Sequence, residues 1–192
     1  MELCITTTEQ RMRLLQCRFV DHCTHLRVPI AFVVALHAHV CAALHPDSLS
    51  PLATQVTGLT SGVSKVICGD YFSCAISTSG ALSCWGSNAY GQLGDGTFVD
   101  KLVPTPVSSM TSGVNSASAG SAHVCAIKTD GAVYCWGSNL LATLGNTKCC
   151  NAPSNTPVQV NLGSPNTATV VAAGAGHTCA VRTTGGTFCW GR

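Results

Sequence analysis

The sequence SCAISTSGALSCWG, at residues 73–86, places two short β-prone runs on either side of the turn Thr78-Ser79-Gly80. It recurs as VCAIKTDGAVYCWG at residues 124–137 and as TCAVRTTGGTFCWG at residues 178–191. Three turn residues that end in glycine are typical of a three-residue hairpin loop, because glycine adopts the left-handed backbone of the last loop position without steric cost. Each copy therefore predicts a β-hairpin, and the set predicts a repeat architecture.

The loop length also predicts which residues face each other across each hairpin. If Ser77 pairs with Ala81 across the first turn, Cys74 lies opposite Cys84. The same count applied to the other two copies gives the facing pairs Cys125 with Cys135 and Cys179 with Cys189. If the pair that closes the loop is hydrogen-bonded, each cysteine pair occupies a non-hydrogen-bonded site. There the Cα atoms lie about 4.5 Å apart, within reach of a disulfide.

These six cysteines leave two interpretations open. Three disulfides, one in each hairpin, would each close a loop of about ten residues and contribute about 2–3 kcal/mol. Six reduced and buried cysteines would instead act as small apolar side chains. Metal binding is disfavoured, because one hairpin supplies only two of the four ligands of a zinc site. The sequence predicts neither a metal site nor a cofactor.

The repeat extends well beyond the hairpins. Cys84-Trp85-Gly86 and Cys135-Trp136-Gly137 are 51 residues apart, and the same offset relates further pairs. These pairs are Thr60–Val63 with Thr111–Val114, Gly69 with Gly120, Leu93-Gly94 with Leu144-Gly145, and Pro106-Val107 with Pro157-Val158. The third copy gains three residues, which this alignment places between Val158 and Gly174. We expect repeats at about residues 54–104, 105–157 and 158–192, the last incomplete.

Several residues recur at one place in each copy. Trp85, Trp136 and Trp190 occur once per repeat, as packing anchors do, and stacking on a ligand is the alternative. The glycines of the hairpin turns and of the Cys-Trp-Gly triplets are also predicted to be structural: Gly80, Gly131, Gly185, Gly86, Gly137 and Gly191. His123 and His177 fall where the first copy has Phe72. A position that accepts phenylalanine is more typical of packing than of catalysis.

The stretch WGSNAYGQLGDG at residues 85–96, with the preceding Cys-Ala-Ile and glycine turn, closely resembles the regulator of chromosome condensation repeat. The resemblance covers residues 54–192 and implies a β-propeller, usually of seven blades, each a four-stranded antiparallel sheet. The expected fold is therefore all-β, a partial propeller of about three such blades. A full ring would need roughly 350 residues, so the sequence is interpreted as a piece of a longer propeller. Closure by oligomerisation is the alternative.

The second copy departs from the family motif. It reads Leu140-Leu141-Ala142-Thr143 where the motif has Tyr-Gly-Gln, and it continues into the adjacent Cys149 and Cys150. Those two cysteines have no counterpart in the first copy, and Cys68 has none in the other two. The paired cysteines of the hairpins resemble those of extracellular or bacterial-type members. An extracellular or cell-surface location is therefore expected, with the cytoplasm or nucleus as the alternative.

Residues 1–50 differ in composition from the repeats. They hold five of the seven histidines and four cysteines, whose spacing fits no compact zinc finger. Residues 28–44 carry no formal charge and follow several arginines, a pattern that fits a helix. A signal peptide or membrane anchor is one interpretation. A buried or poorly ordered helix, or upstream sequence wrongly included in the reading frame, is the other. Membrane contact is expected only through residues 28–44.

Composition and motifs bound the function. Charged residues make up only 9% of the chain and the net charge is +2. The chain is therefore too apolar for intrinsic disorder and lacks the basic excess that nucleic-acid binding requires. No nucleotide-binding glycine loop, carboxylate pair or Ser/His/Asp arrangement is present, so we predict no enzyme. The main hypothesis is a noncatalytic protein-binding scaffold that uses its rim loops. The alternatives are guanine-nucleotide exchange on a small GTPase, implied by the resemblance alone, and a secreted or surface ligand-binding domain.

Overall fold

A computed structural model describes residues 53–146 and 152–192 of the chain, and this part consists of three antiparallel β-sheets without a helix. The strands are β1 Val63–Cys68, β2 Phe72–Ser77, β3 Leu82–Gly86, β4 Lys101–Pro106, β5 Val114–Ala119, β6 His123–Lys128, β7 Val133–Gly137, β8 Ser154–Gln159, β9 Ala168–Ala173, β10 His177–Arg182 and β11 Thr187–Gly191. The predicted helix at residues 28–44, the other cysteines and histidines of residues 1–50, and Cys149 and Cys150 lie outside the described residues.

Each sheet pairs its strands in chain order and forms one blade. Blade 1 comprises β1–β4, blade 2 comprises β5–β8, and blade 3 comprises β9–β11. The first strand of each blade contacts the first strand of the next, so the blades stand side by side around a common axis. The all-β partial propeller predicted from the sequence is confirmed.

The hairpin register follows the loop count in all three blades. The amide of Ser77 donates to the carbonyl of Ala81 at 2.8 Å, and Gly80 has a φ of +79°. The equivalent hydrogen bonds join Lys128 with Ala132 and Arg182 with Gly186. Short turns of one length therefore give one register, and each blade places its two hairpin cysteines directly opposite each other.

The facing cysteines form three disulfides. They join Cys74 with Cys84, Cys125 with Cys135, and Cys179 with Cys189, with Cα–Cα distances of 4.0, 4.1 and 4.0 Å. The first two disulfides are fully buried between blades. Cys68 lies half-buried in β1 and belongs to none of the three.

The last strand of blade 2 corrects one expected alignment. The amide of Val107 donates to the carbonyl of Leu82, and the amide of Val160 donates to the equivalent Val133. Val107 therefore corresponds to Val160, and its match with Val158 at an offset of 51 is wrong. Gly86 pairs with Lys101, whereas Gly137 pairs with Ser154, two residues further along the chain. Two of the three extra residues thus lie between β7 and β8, because strand pairing holds the strands fixed and the loop absorbs the insertion.

The apolar core lies between blades. Phe72, Ile76 and Leu82 of blade 1 pack in one buried cluster with Val124 and Trp136 of blade 2. A second cluster joins Ile127, Val133 and Leu144 of blade 2 with Ala180 and Trp190 of blade 3. Since each blade buries its faces against its neighbours, the stability of the array depends on these interfaces. In the described part of the chain, no helix has the length and apolarity that a membrane span requires.

Candidate interaction surface

The loops form two opposite rims of the blade array. The long-loop rim contains the loops between the first and second and between the third and fourth strands of each blade. The hairpin rim contains the loops between the second and third strands and the connections between blades. Backbone hydrogen bonds link neighbouring blades at both rims, for example from Asp70 to Ser121 at 3.3 Å on the long-loop rim. On the hairpin rim the amide of Val114 donates to the carbonyl of Gly80 at 2.9 Å. Both rims are therefore held in place by the blades.

The two rims expose different side chains. The long-loop rim carries most of the exposed large apolar side chains: Tyr71, Tyr90, Phe98, Val99, Leu140 and Leu141. Leu102 and Val103 follow directly at the start of β4. Among the described residues, the hairpin rim contributes none of these side chains. It exposes mainly Ser, Thr and Gly, such as Thr78, Ser79 and Thr129. Clustered apolar exposure is typical of an interaction surface.

A buried asparagine shapes the long loop of blade 1. The Asn88 side chain donates to the carbonyls of Thr97 and Val99, at 3.0 and 3.2 Å, and accepts from the amide of Leu93 at 3.0 Å. Asn139 accepts in the same way from Leu144 in blade 2. Asn88 thus ties both ends of the blade 1 loop together, a role that the sequence pattern did not reveal.

The carboxylate of Asp95, in the same loop, is neutralised by a lysine within the blade. Burial raises the pKa of Asp95, but hydrogen bonds from Thr97 and Asn88 and the nearby Lys101 outweigh burial and hold this pKa below its ordinary value. The Lys101 Nζ lies 3.5 Å from the Asp95 carboxylate. Asp95 is therefore ionised at neutral pH and neutralises Lys101. Asp70 and Asp100 remain as exposed carboxylates of the blade 1 rim.

The structure places two of the three predicted tryptophan anchors, Trp136 and Trp190, between blades, whereas Trp85 packs against Val56 and Ala75 on the free face of blade 1. The indole N–H of Trp136 donates to the carbonyl of Gln92 in blade 1 at 3.0 Å, and that of Trp190 donates to Thr143 in blade 2 at 2.7 Å. A Cβ at Gly94 would lie 2.6 Å from the Trp136 Nε1, so the glycine makes room for the indole. Trp85 is buried, and among the described residues its Nε1 has no hydrogen-bond partner.

The recurring glycines occupy backbone conformations that disfavour other residues. The turn residues Gly80, Gly131 and Gly185 have φ of +79°, +84° and +90°. The triplet residues Gly86, Gly137 and Gly191 have φ of +111°, +99° and +97°. A Cβ at Gly137 would also lie 2.5 Å from the carbonyl oxygen of Ala122. These positions serve the fold and contribute no side chain to a site.

The two recurring histidines have different surroundings. The Nε2 of His123 lies 2.8 Å from the Thr178 hydroxyl, across the interface between blades 2 and 3. Burial, with a smaller effect of the nearby His177, lowers the pKa of His123 to about 4. His177 is exposed on blade 3. His123 is therefore neutral at physiological pH and serves as a buried hydrogen-bonding side chain.

The residue types that usually bind metals are not clustered in the part of the chain that the structure covers. Within residues 53–146 and 152–192, no group of three or more His, Cys, Asp or Glu side chains is placed to hold a metal ion. The six hairpin cysteines form disulfides instead.

Known proteins share both the sequence pattern and the fold. A model of the regulator of chromosome condensation (RCC1) repeat matches residues 79–127 and 130–181, and a second RCC1 repeat model matches residues 63–92. The chain is 34% identical to the ultraviolet-B receptor UVR8 of Arabidopsis thaliana over 147 residues, which are 76% of this chain and 33% of that protein. It is 34% identical to the probable E3 ubiquitin-protein ligase HERC4 of Homo sapiens over 131 residues, 66% of this chain and 12% of that one. The chain thus spans a third or less of these relatives.

Solved structures show the same blade arrangement. Human WBSCR16 superposes with a TM-score of 0.67 at 23% identity, over 75% of this chain and 36% of that one. Prp20p from Saccharomyces cerevisiae superposes with a TM-score of 0.66 at 20% identity, over 76% of this chain and 34% of that one. At this level of identity, the two structures show a common fold.

Proposed function

The chain belongs to the regulator of chromosome condensation (RCC1) repeat family, and from that premise we propose that it is a noncatalytic protein-binding module. Its long-loop rim carries recognition. The observation on which this rests is the concentration of exposed apolar side chains on that rim, while the hairpin rim exposes small polar ones. Loops held by a rigid scaffold are the usual place for recognition residues.

Protein partners are consistent with the fold. Prp20p, which shares this fold, has binding properties towards Gsp1p and histones, which are proteins. The large apolar residues on the rim here suit the apolar core of a protein interface, where aromatic side chains are enriched. They do not suit a polar ligand that lacks an apolar surface.

The three disulfides support a location in an oxidising compartment. Cross-strand disulfides persist in secreted and cell-surface proteins, whereas cytosolic thiols are kept reduced. The proposed location is therefore extracellular or on the cell surface.

The rim hypothesis is tested by comparing two surface variants as baits. Phe98→Ser with Leu140→Ser removes two exposed side chains of the long-loop rim. Thr183→Ala with Thr184→Ala changes two exposed residues of the hairpin rim and is the matched control. Each bait is cross-linked in extract from the native source, and captured proteins are quantified by mass spectrometry. Partners should be lost from the rim variant and kept by the control. Equal capture by both variants would place recognition elsewhere.

Nucleotide exchange is separated from binding by a second assay. Release of labelled GDP from purified small GTPases is measured with and without the full chain. The proposal predicts unchanged release rates. Accelerated release would replace the binding module with an exchange factor.

A further inference from the structure

Blade 1 carries a patch on the long-loop rim that blade 2 lacks. The exposed patch residues are Asp70, Tyr71, Tyr90 and Asp100. Strand pairing places Ser121, Ala122, Leu141 and Pro153 at the same positions in blade 2. Blade 3 has Ala175 and Gly176 in the first loop. Blade 2 thus has none of these two carboxylates and two phenol rings, and the first loop of blade 3 lacks the Asp70-Tyr71 pair as well.

The four residues lie around one place in the fold, the end of β3. The amide of Ser87, at the end of β3, donates to the carbonyl of Tyr71 at 2.9 Å. The next amide, that of Asn88, donates to the carboxylate of Asp100 at 2.7 Å. Tyr90 follows two residues later, and its own amide donates to the Gln92 side chain at 2.9 Å. Hydrogen bonds therefore hold the backbone of Tyr71 and Tyr90 and the carboxylate of Asp100 around the end of β3.

The fold does not require Asp70 or Tyr71. Blades 2 and 3 form the same loops with serine, alanine and glycine in place of Asp70-Tyr71. The exposed fraction is 65% for Tyr71 and 41% for Tyr90. Neither side chain is therefore part of the buried core. Exposed residues that vary between copies of one frame are free to serve recognition.

The two exposed carboxylates give the blade 1 patch a negative charge. In the part of the chain that the structure covers, neither Asp70 nor Asp100 forms a salt bridge, and the neighbouring Lys101 is bound to Asp95. Lys128 and Arg182 lie at the other ends of their strands, beside the hairpin rim, each over an aromatic ring. Arg192 follows β11 on blade 3, away from the blade 1 patch. The patch is therefore locally acidic as well as aromatic.

We propose that this blade 1 patch binds a segment of a partner protein that presents arginine or lysine beside apolar side chains. A cation is attracted to the face of a tyrosine ring and forms charge-assisted hydrogen bonds with carboxylates. Phe98 and Val99, next to Asp100, offer apolar surface to the rest of the segment. An acidic rim repels phosphate groups, so a nucleic acid is not the occupant. This inference rests on the proposed function and narrows it.

The test uses the full chain and three labelled synthetic peptides of one length and one leucine pattern. Their variable positions carry arginine, serine or glutamate, and binding is measured by fluorescence anisotropy. We expect the arginine peptide to bind at least about tenfold more tightly than the other two, with an affinity that falls as salt is added.

Matched variants locate the binding. Asp70→Ser with Tyr71→Ala installs the residues that blade 2 already uses, so the fold should be kept, and circular dichroism checks this. The arginine peptide should then bind several-fold more weakly. Asp130→Asn removes an exposed carboxylate on the hairpin rim, keeps an acceptor for the amide of Ala132, and should leave binding unchanged.

Each adverse result has a distinct meaning. Equal binding of the three peptides, or no binding by any of them, overturns the proposed partner chemistry. Loss of binding in Asp130→Asn but not in Asp70→Ser/Tyr71→Ala overturns the location. The proposed function is tested separately: it fails if neither the Phe98→Ser/Leu140→Ser bait nor its control captures a partner, and its assignment to the long-loop rim fails if both capture the same partners.

Discussion

The two interfaces between blades have the same strand arrangement but different side-chain contacts. Between blades 1 and 2, Phe72 lies in an apolar cluster that includes Val124. Between blades 2 and 3, the equivalent His123 lies 2.8 Å from the hydroxyl of Thr178, which is the equivalent of Val124. A buried position in this repeat can therefore be apolar or polar, provided that a polar side chain meets a polar partner on the next blade.

What the two interfaces share is the tryptophan. In each, an indole N–H donates to a loop carbonyl of the preceding blade. The difference lies in burial, because Trp136 is completely buried and Trp190 is only partly so. The tryptophan contact is common to both interfaces and holds each blade against the preceding one. The interfaces differ in chemistry at the position of Phe72 and His123, which is apolar in the first and polar in the second.

Removal of a tryptophan should have the largest effect and should separate the interfaces by burial. Trp136→Ala is expected to lower the free energy of unfolding by about 3–5 kcal/mol, because it removes a fully buried aromatic side chain. Trp190→Ala should cost clearly less, since part of that ring already contacts water. Urea unfolding of both variants measures the difference. Equal losses would contradict the ranking of the two interfaces.

Acid should weaken the second interface and spare the first. His123 has a pKa of about 4 in the folded chain, against 6.5 for an ordinary histidine. Between these values the unfolded chain binds a proton that the folded chain does not, so stability falls as pH drops from 6.5 towards 4. The shift corresponds to about 3 kcal/mol. Hydrogen exchange at pH 7 and pH 5 should show β9–β11 opening more at the lower pH.

Copying the first interface into the second is the control for this effect. His123→Phe with Thr178→Val installs the pair found at Phe72 and Val124. The double variant should lose most of the pH dependence attributed to His123. If the full dependence remains, another titrating group is responsible.

Single hydrogen bonds between blades should have the smallest effects. The Ser118 hydroxyl accepts from the amide of Ala173 at 2.9 Å across the second interface. Ser118→Ala should cost about 1 kcal/mol, because a partly buried amide loses its acceptor. Lys65 donates to the carbonyl of Asn115 at 2.7 Å across the first interface, at an exposed position. Lys65→Met should cost less, and thermal unfolding would show whether the order is reversed.

The sequence predicts the local structure well, because that structure depends on short-range geometry. Three turns of equal length give the hairpin register in three blades, and this could be counted without a structure. The alignment of Val107 with Val158 failed for the opposite reason. The loop between β7 and β8 can absorb two residues without disturbing the strands, and only the pairing of β8 with β7 shows where they are.

Contacts between blades could not be read from the sequence. That Trp136 donates to Gln92, or that His123 meets Thr178, depends on how neighbouring blades are placed. The rim patch had a detectable signal, since Asp70-Tyr71 and Asp100 differ from their counterparts Ser121-Ala122 and Pro153. That these residues are exposed on the rim could be determined only from the folded structure.

Disulfide mapping of the protein from its native source tests the central claim most directly, namely that each blade contains one hairpin closed by its own cross-strand disulfide. Peptide mass spectrometry with and without reduction identifies the bonded pairs. We expect bonds between Cys74 and Cys84, between Cys125 and Cys135, and between Cys179 and Cys189, and hence an oxidising compartment. Fully reduced hairpin cysteines, or bonds between different blades, would contradict it.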